Sequence, residues 1–356
     1  MKAQVLSPSI ENIKIAAEAL KQGDVVAIPT ETVYGLAGNV FNPNAVTKIF
    51  ETKERPTFDP LIAHVAWPVS LSDLSSKGLV DLTKLSPNKT AQIEKLIQTF
   101  WPGPLTLVLP KQKKVPDIVT SGLESVAVRS PNHPIAQLLL KEVSTPLAAP
   151  SANRFGRISP TSAQDVFEEL GDRIRYIVDG GRCEIGLEST IVHCSEHSWT
   201  LLRPGKISQE EIEHIIGEKL SQNLHSNEGR SAAAPGMLAS HYAPRTSLTL
   251  FSFSDFDTLE NMAAQSRNKC ALLLFSKSAR DFKTLDLKRF QTIYELSSNW
   301  SLEEAAQNLF SSLRTLDQSL DAQSDQIFCE EPPPESQNSG LGFAIIDRLK
   351  RASHKR

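Results

Sequence analysis

Apolar positions recur at helical spacing through Ile10, Ile13, Ala16, Ala17 and Leu20, and Gly23 supplies a stop. Residues 25–28 form a short unbroken apolar run, the pattern of a strand buried on both faces. Pro29 ends its hydrogen bonding, and the polar turn Thr-Glu-Thr-Val-Tyr-Gly follows. Asn42 or Asn44 caps a helix predicted to run to about Lys53. Pro56 and Pro60 frame an extended segment that hands over to a strand at 61–65.

Residues 72–90 are rich in Ser, Lys and Asp and read as a surface insertion without visible chemistry. Residues 91–100 are helical, Trp101-Pro102-Gly103-Pro104 is a rigid turn, and 105–109 and 125–129 are strands. A helix begins at Pro134 and runs to Val143, with proline at its favoured first position. A strand at 146–150 enters a polar loop, and Thr161 or Ser162 caps a helix to Leu170. A strand at 174–178, a hairpin from 188–192 and 199–202, and a helix at 209–220 complete this part. Periodicity is lost over 221–244. Strands near 247–253, 270–275, 290–295 and 325–330 then alternate with helices near 255–266, 301–320 and 341–352. The pattern divides the chain into a larger α/β domain at 1–220, a linker at 221–244, and a small α/β layer structure at 245–356. No internal repeat is found.

Composition narrows the class. The 356 residues suit two domains, and a 40% hydrophobic and 22% charged content is ordinary for a globular protein. A net charge of -3 argues against a surface coated for long nucleic acid, although a local basic cleft remains open. Cys183, Cys194, Cys270 and Cys329 contain no C-x-x-C pair and are too sparse for a disulfide scaffold, which fits a reducing cytosol. No signal-peptide core and no membrane-spanning apolar run is present, so a cytoplasmic location is expected.

Candidate chemistry gathers in 29–65. Thr30, Thr32, Lys53, Arg55 and His64 fall within one strand–loop–helix–strand unit, a common design for an anionic small-molecule site. His64 alone would more often be a core histidine, and Lys53 with Arg55 alone a solvated helix end. Two further strand ends carry Ser151 with Asn153 and Ser189 with Arg203, and open α/β sheets place ligands at strand ends. No P-loop exists. Gly340-Leu341-Gly342 resembles the start of a dinucleotide fingerprint but lacks its third glycine, so helix-start packing is the better reading. His193 and His197 are read as exposed residues of a strand and turn, not metal ligands.

The motifs PTETVYGL (29–36), KERPTFDPLI (53–62) with His64, WPGPLT (101–106), VAVRSP (126–131), APSAN with SPT (149–161), GLEST (186–190), LLRPG (201–205), PGM with HYAP (235–244) and GLGFAIIDRLKRAS (340–353) run in one order along the chain. Together they resemble the threonylcarbamoyl-AMP synthases of the two-domain Sua5 type. The resemblance implies a YrdC-like α/β fold, a twisted mixed sheet with helices around a concave electropositive pocket. It also implies a small Rossmann-like C-terminal domain and a linker that folds over the pocket as a lid. The implied enzyme is a nucleotidyltransferase that converts L-threonine, bicarbonate and ATP to threonylcarbamoyl-AMP and pyrophosphate. Its product feeds a tRNA threonylcarbamoyl transferase machinery for t6A at position 37.

Carried over by position, Thr32, His64, Ala149, Ser189 and Arg129 are the implied threonine contacts. Lys53, Arg55, Asp59, Thr120, Ser151, Asn153, Ser159, Arg203 and Tyr242 are the implied ATP contacts, with Tyr242 part of the lid. Mg2+ is expected with ATP. No side-chain nucleophile and no protein metal cage are expected, nor stable nucleic-acid or membrane binding. Arg55→Ala is expected to lose ATP turnover while leaving the fold intact. Asp59 stands where Asn is frequent, Phe155 replaces a small residue, and Leu238-Ala239-Ser240 lacks the bulky and basic residues common before HYAP. An RNA-binding factor using the same cleft is the alternative. The near-neutral charge and the lack of interleaved aromatic and basic residues count against it. Carbamoyl transfer to another acceptor would call for acylphosphatase-like and zinc-finger segments, which this chain lacks.

Overall fold

The computed structural model describes residues 2–224, 235, 241–266, 269–277, 290–323, 325–338 and 340–354. The chain divides into two units. One comprises Met1–Phe155, Ser159–Glu184 and Glu188–Leu238; the other comprises Gly156–Ile158, Ile185–Leu187 and Ala239–Arg356.

In the first unit, β1 (Gln4–Leu6), α1 (Ile10–Lys21), β2 (Val26–Ile28), β3 (Gly35–Asn39), α2 (Pro43–Lys53) and β4 (Ile62–His64) come first. They are followed by α3 (Leu71–Ser76), α4 (Pro87–Phe100), β5 (Leu105–Pro110), α5 (Asp117–Thr120), β6 (Ser125–Arg129), α6 (Pro134–Val143) and β7 (Leu147–Ala148). The unit closes with α7 (Ala163–Leu170), β8 (Tyr176–Val178), β9 (Thr190–Cys194), β10 (Trp199–Arg203), α8 (Gln209–Ile216) and β11 (Leu220–Gln222). The strands form one mixed sheet in the order β1-β8-β2-β3-β7-β4-β6-β5-β9-β10-β11. Val26–Ile28 is fully buried because the sheet is covered there: Ala16, Ala17 and Leu20 of α1 and Leu139, Leu140 and Val143 of α6 share its core cluster.

Helix starts follow side-chain chemistry. Asn42 caps α2, and Ser70, Ser162 and Ser208 form reciprocal capping boxes with Asp73, Asp165 and Glu211. Four expectations need revision. First, residues 29–34 are the loop of a β2–β3 hairpin, because Ile28 pairs antiparallel with Gly35. Second, 72–90 is not merely a surface insertion: α3 buries Leu71 and Leu74, and the segment after it buries Leu79 and Val80. Third, α5 is an additional short helix. Fourth, the helix from Gln209 ends at Ile216, where Gly217 turns left-handed, and Leu220–Gln222 pairs parallel with β10. Residues 221–222 thus belong to the first sheet. Most of the expected linker, 225–234 and 236–240, lies outside the described residues.

The second unit contains β12 (Ser247–Phe251), α9 (Phe256–Gln265), β13 (Cys270–Leu274), β14 (Phe290–Glu295), α10 (Leu302–Ser319), β15 (Gln326–Glu330) and α11 (Gly340–Ser353). Its four strands are all parallel, in the order β12-β15-β13-β14. Gly342 has a packing role: a Cβ there would lie 2.0 Å from the Ser336 carbonyl oxygen. No described helix is long and apolar enough to cross a membrane.

Candidate active site

The 29–34 loop is held by its own first threonine. The Thr30 hydroxyl donates to the Val33 carbonyl at 2.6 Å and accepts from the Thr32 and Val33 amides, each at 3.2 Å. It also lies 2.8 Å from the Thr32 hydroxyl. Arg129, at the end of β6, donates from Nη1 to Thr32 Oγ1 at 2.9 Å and from Nε to the Gly103 carbonyl at 3.1 Å. A guanidinium can only donate, and Thr30 has already given its proton to Val33. The Thr32 proton therefore points to Thr30, and the chain of donors runs Arg129, Thr32, Thr30, Val33. Nη2 of Arg129 meets the Glu31 carboxylate in a buried ion pair.

His64 is the register partner of Arg129 across the parallel β4–β6 pair. Burial, assisted by the Arg129 charge, lowers its pKa from the ordinary 6.5 to about 3, so the ring is neutral. Its Nδ1 lies 3.1 Å from the Ile62 carbonyl. Ala149, just past the end of β7, donates its amide to the same Ile62 carbonyl at 3.0 Å.

Lys53 and Arg55 are not a solvated helix end. Lys53 is 1% and Arg55 7% exposed. Lys53 Nζ donates to the backbone carbonyls of Ser151 and Asn153, which fixes the loop after β7 against the end of α2. Burial, then the neighbouring Arg55, push the Lys53 pKa well below the usual lysine range; Asp59 and Glu169 oppose this. Arg55 forms an ion pair with Asp59 at 2.8 Å and donates to the carbonyls of Asp59 and Pro60 at 3.1 and 2.9 Å. Burial raises the Asp59 pKa, against the attraction of Arg55, Lys53 and Arg203. Those three cations are thus all within electrostatic range of one carboxylate.

Arg203, at the end of β10, donates to the Ser189 carbonyl and hydroxyl, both at 3.1 Å, and to the Pro235 carbonyl at 3.1 Å. Ser189 shares a 2.7 Å hydrogen bond with Thr106 of β5. Ser159 donates to Glu188 at 2.6 Å, and Thr120 accepts from Lys111 at 3.0 Å. Tyr242 lies in the second unit, buried, stacked on Phe310 at 5.5 Å and under the Arg348 guanidinium at 5.3 Å.

Two groups therefore form in the first unit. Thr32, Arg129 and His64, with Ala149, are one. Lys53, Arg55, Asp59 and Arg203, with Ser151, Asn153 and Ser189, are the other. Sequence reading omitted Glu31, Thr106, Lys111 and Glu188. Three of these sit inside motifs already singled out, PTETVYGL, WPGPLT and GLEST; Lys111 has no such signal. Among the described residues no group of three His, Cys, Asp or Glu side chains suits a metal ion.

Residues 18–205 match the family model described as "Telomere recombination", for Sua5, YciO and YrdC proteins, and residues 207–354 match the threonylcarbamoyl-AMP synthase C-terminal domain. The chain is 39% identical to threonylcarbamoyl-AMP synthase of Pyrococcus abyssi over 96% of this chain and 94% of the relative. It is also 39% identical to threonylcarbamoyl-AMP synthase of Bacillus subtilis over 98% of this chain and 94% of that one. The solved structure of P. abyssi Sua5 complexed with L-threonine superposes with a TM-score of 0.85 and 37% identity, covering 99% of this chain and 98% of the other.

Proposed function

This chain belongs to the two-domain Sua5 family of threonylcarbamoyl-AMP synthases, and we propose that it makes threonylcarbamoyl-AMP and pyrophosphate from L-threonine, bicarbonate and ATP. The observation that carries this reading is the near full-length match to synthases, joined to two groups of buried cations and hydroxyls in the first unit. The first group, Thr32, His64, Arg129 and Ala149, is assigned to the amino acid, together with Ser189 from the edge of the second. The second, Lys53, Arg55, Asp59, Ser151, Asn153, Arg203, and also Thr120, Ser159 and Tyr242, is assigned to ATP.

Bicarbonate gives up hydroxide to become carbon dioxide, and the neutral threonine amine bonds to its carbon. The proton the amine loses leaves with that hydroxide as water, which gives a carbamate. A carbamate oxygen then bonds to the α-phosphorus as the bond from that phosphorus to the β-phosphate oxygen breaks. The threonine carboxylate, the carbamate and the phosphates of ATP are all negatively charged. Fixed guanidinium and ammonium groups in a buried site favour that arrangement most. A phosphate at Lys53 would also restore the ammonium form that burial opposes. The His64 ring stays neutral and contacts substrate by shape and hydrogen bonding, not charge. Orientation of three reactants supplies much of the acceleration, and no nucleophilic side chain is required.

Mg2+ suits this site as an ion carried by the nucleotide. The buried Asp59 carboxylate is paired with Arg55 but has no hydrogen bond among the described residues, and it would serve as a protein ligand beside phosphate oxygens. When bound, the ion neutralises charge on the phosphates. The product is proposed to pass to a tRNA threonylcarbamoyl transferase machinery, in the cytoplasm and without stable tRNA binding by this chain.

The deciding experiment incubates the protein with ATP, threonine and 13C-bicarbonate. Mass spectrometry is expected to find a labelled threonylcarbamoyl-adenylate, with pyrophosphate released in step. Pyrophosphate release at the same rate without threonine would refute the reading. A salt-titrated RNA-binding assay is expected to give only weak, non-specific association.

A further inference from the structure

Glu31 stands between the two threonines of the hairpin loop and was assigned no role above. Its carboxylate is 3% exposed and rests against Nη2 of Arg129, itself 4% exposed. The contact is close but out of line. Neither carboxylate oxygen of Glu31, nor Nη2 of Arg129, has a hydrogen-bond partner among the described residues. This is not the bidentate fork that makes a buried pair a good structural element, and a buried pair is in any case weak ground for stability. The other two anchors of Arg129, the Gly103 carbonyl and the Thr32 hydroxyl, are neutral. A guanidinium does not lose its proton at working pH, so before substrate arrives its charge needs a counter-charge. Glu31 is that charge. The Glu31 charge also acts on His133 and Cys183; burial holds His133 below its usual range and pushes the Cys183 thiol up.

We propose that Glu31 is a positioning residue that sets the Arg129 guanidinium, and through it the Thr32 hydroxyl, for the substrate amino acid. The proposal rests on the assignment of Arg129 and Thr32 to threonine. Arg129 is tethered at Nε and Nη1 by neutral groups, and the Glu31 contact adds a charged tether at Nη2 that holds the guanidinium against the loop. Glu31 and Thr32 are consecutive on a loop pinned by Thr30, so displacement of either moves the guanidinium between them.

The test uses the full chain and initial rates of threonine-dependent pyrophosphate release. Glu31→Gln keeps the size and removes the charge. The KM for threonine is expected to rise at least tenfold, with the KM for ATP changed less than twofold and kcat lowered less than threefold. Glu31→Asp, which restores the charge at shorter reach, is expected to recover part of the loss. Arg129→Gln is measured alongside. If Arg129→Gln raises the threonine KM and Glu31→Gln does not, the positioning role is overturned while the threonine assignment stands. If neither does, the assignment of Arg129 itself fails. Should Glu31→Gln not fold, Glu31→Asp alone decides: an unchanged threonine KM overturns the proposal, and a selective rise supports it.

Discussion

Arg55 and Asp59 are four residues apart on a turn that buries both side chains and pairs them at 2.8 Å. This corrects the expectation that Arg55→Ala leaves the fold intact. Removing one member of a buried ion pair strands the other and typically costs about 3–5 kcal/mol. Arg55→Ala is therefore expected to lower the unfolding free energy by about 3 kcal/mol and ATP turnover by about a hundredfold. Arg55→Ala with Asp59→Asn should regain most of the stability and none of the turnover. Urea denaturation and pyrophosphate release measure the two effects separately. His64 gives a pH signature. The folded protein declines the proton until about pH 3, whereas the unfolded chain accepts it near 6.5. The contribution of a neutral His64 is thus complete above about 6.5 and is lost as pH falls toward 3, at no more than about 1.4 kcal/mol per pH unit. His64→Gln is expected to flatten this acid limb in denaturation midpoints taken from pH 7 to 4.

At the scale of elements, local pattern decided what was legible. SVAVR alternates and starts and ends as a strand at Ser125 and Arg129; the helix from Pro134 to Val143 likewise has its bounds in its own sequence. Gly35–Asn39 was missed because GLAGN has no β-branched residue and two glycines. It is a strand only because β2 and β7 supply partners on either side. The same limit applies to the site. The residue types in the two groups were legible, but the buried pairing of Glu31 with Arg129, and of Thr106 with Ser189, joins residues far apart in the chain. Close packing of elements also makes a prediction. A Cβ at Gly205 would lie 2.4 Å from the Thr190 amide nitrogen and 2.7 Å from its hydroxyl oxygen. Gly205→Ala must push the turn after β10 away from the start of β9, where Ser189 and Arg203 meet. A loss of about 1–3 kcal/mol is expected, with weakened binding of both substrates, measurable by denaturation and by calorimetric titration.

At the scale of the whole molecule, a net charge of -3 and an anion site are compatible because two of the site's guanidiniums are balanced where they stand. Arg55 has Asp59 and Arg129 has Glu31, so little of their positive charge enters the long-range field. Binding by the first unit's residues should then rest on short-range contacts, and the stabilisation they give should be local too. A ligand that binds only the folded state adds about 2.7 kcal/mol at a hundred times its Kd. Trp67, Trp101 and Trp199 lie in the first unit and Trp300 in the second, so Trp300→Phe makes fluorescence report the first unit alone. In that variant ATP at a hundred times its Kd is expected to raise the first unit's unfolding free energy by about 2.7 kcal/mol. Of the residues assigned to ATP, only Tyr242 lies on the second unit. A protein keeping Trp300 and carrying Phe at the other three positions reads that unit instead. Its transition should move with ATP if Tyr242 contacts the nucleotide, and Tyr242→Phe or Tyr242→Ala should diminish the movement. A transition that stays fixed at saturating ATP removes Tyr242 from the site and leaves the nucleotide to the first unit's cations.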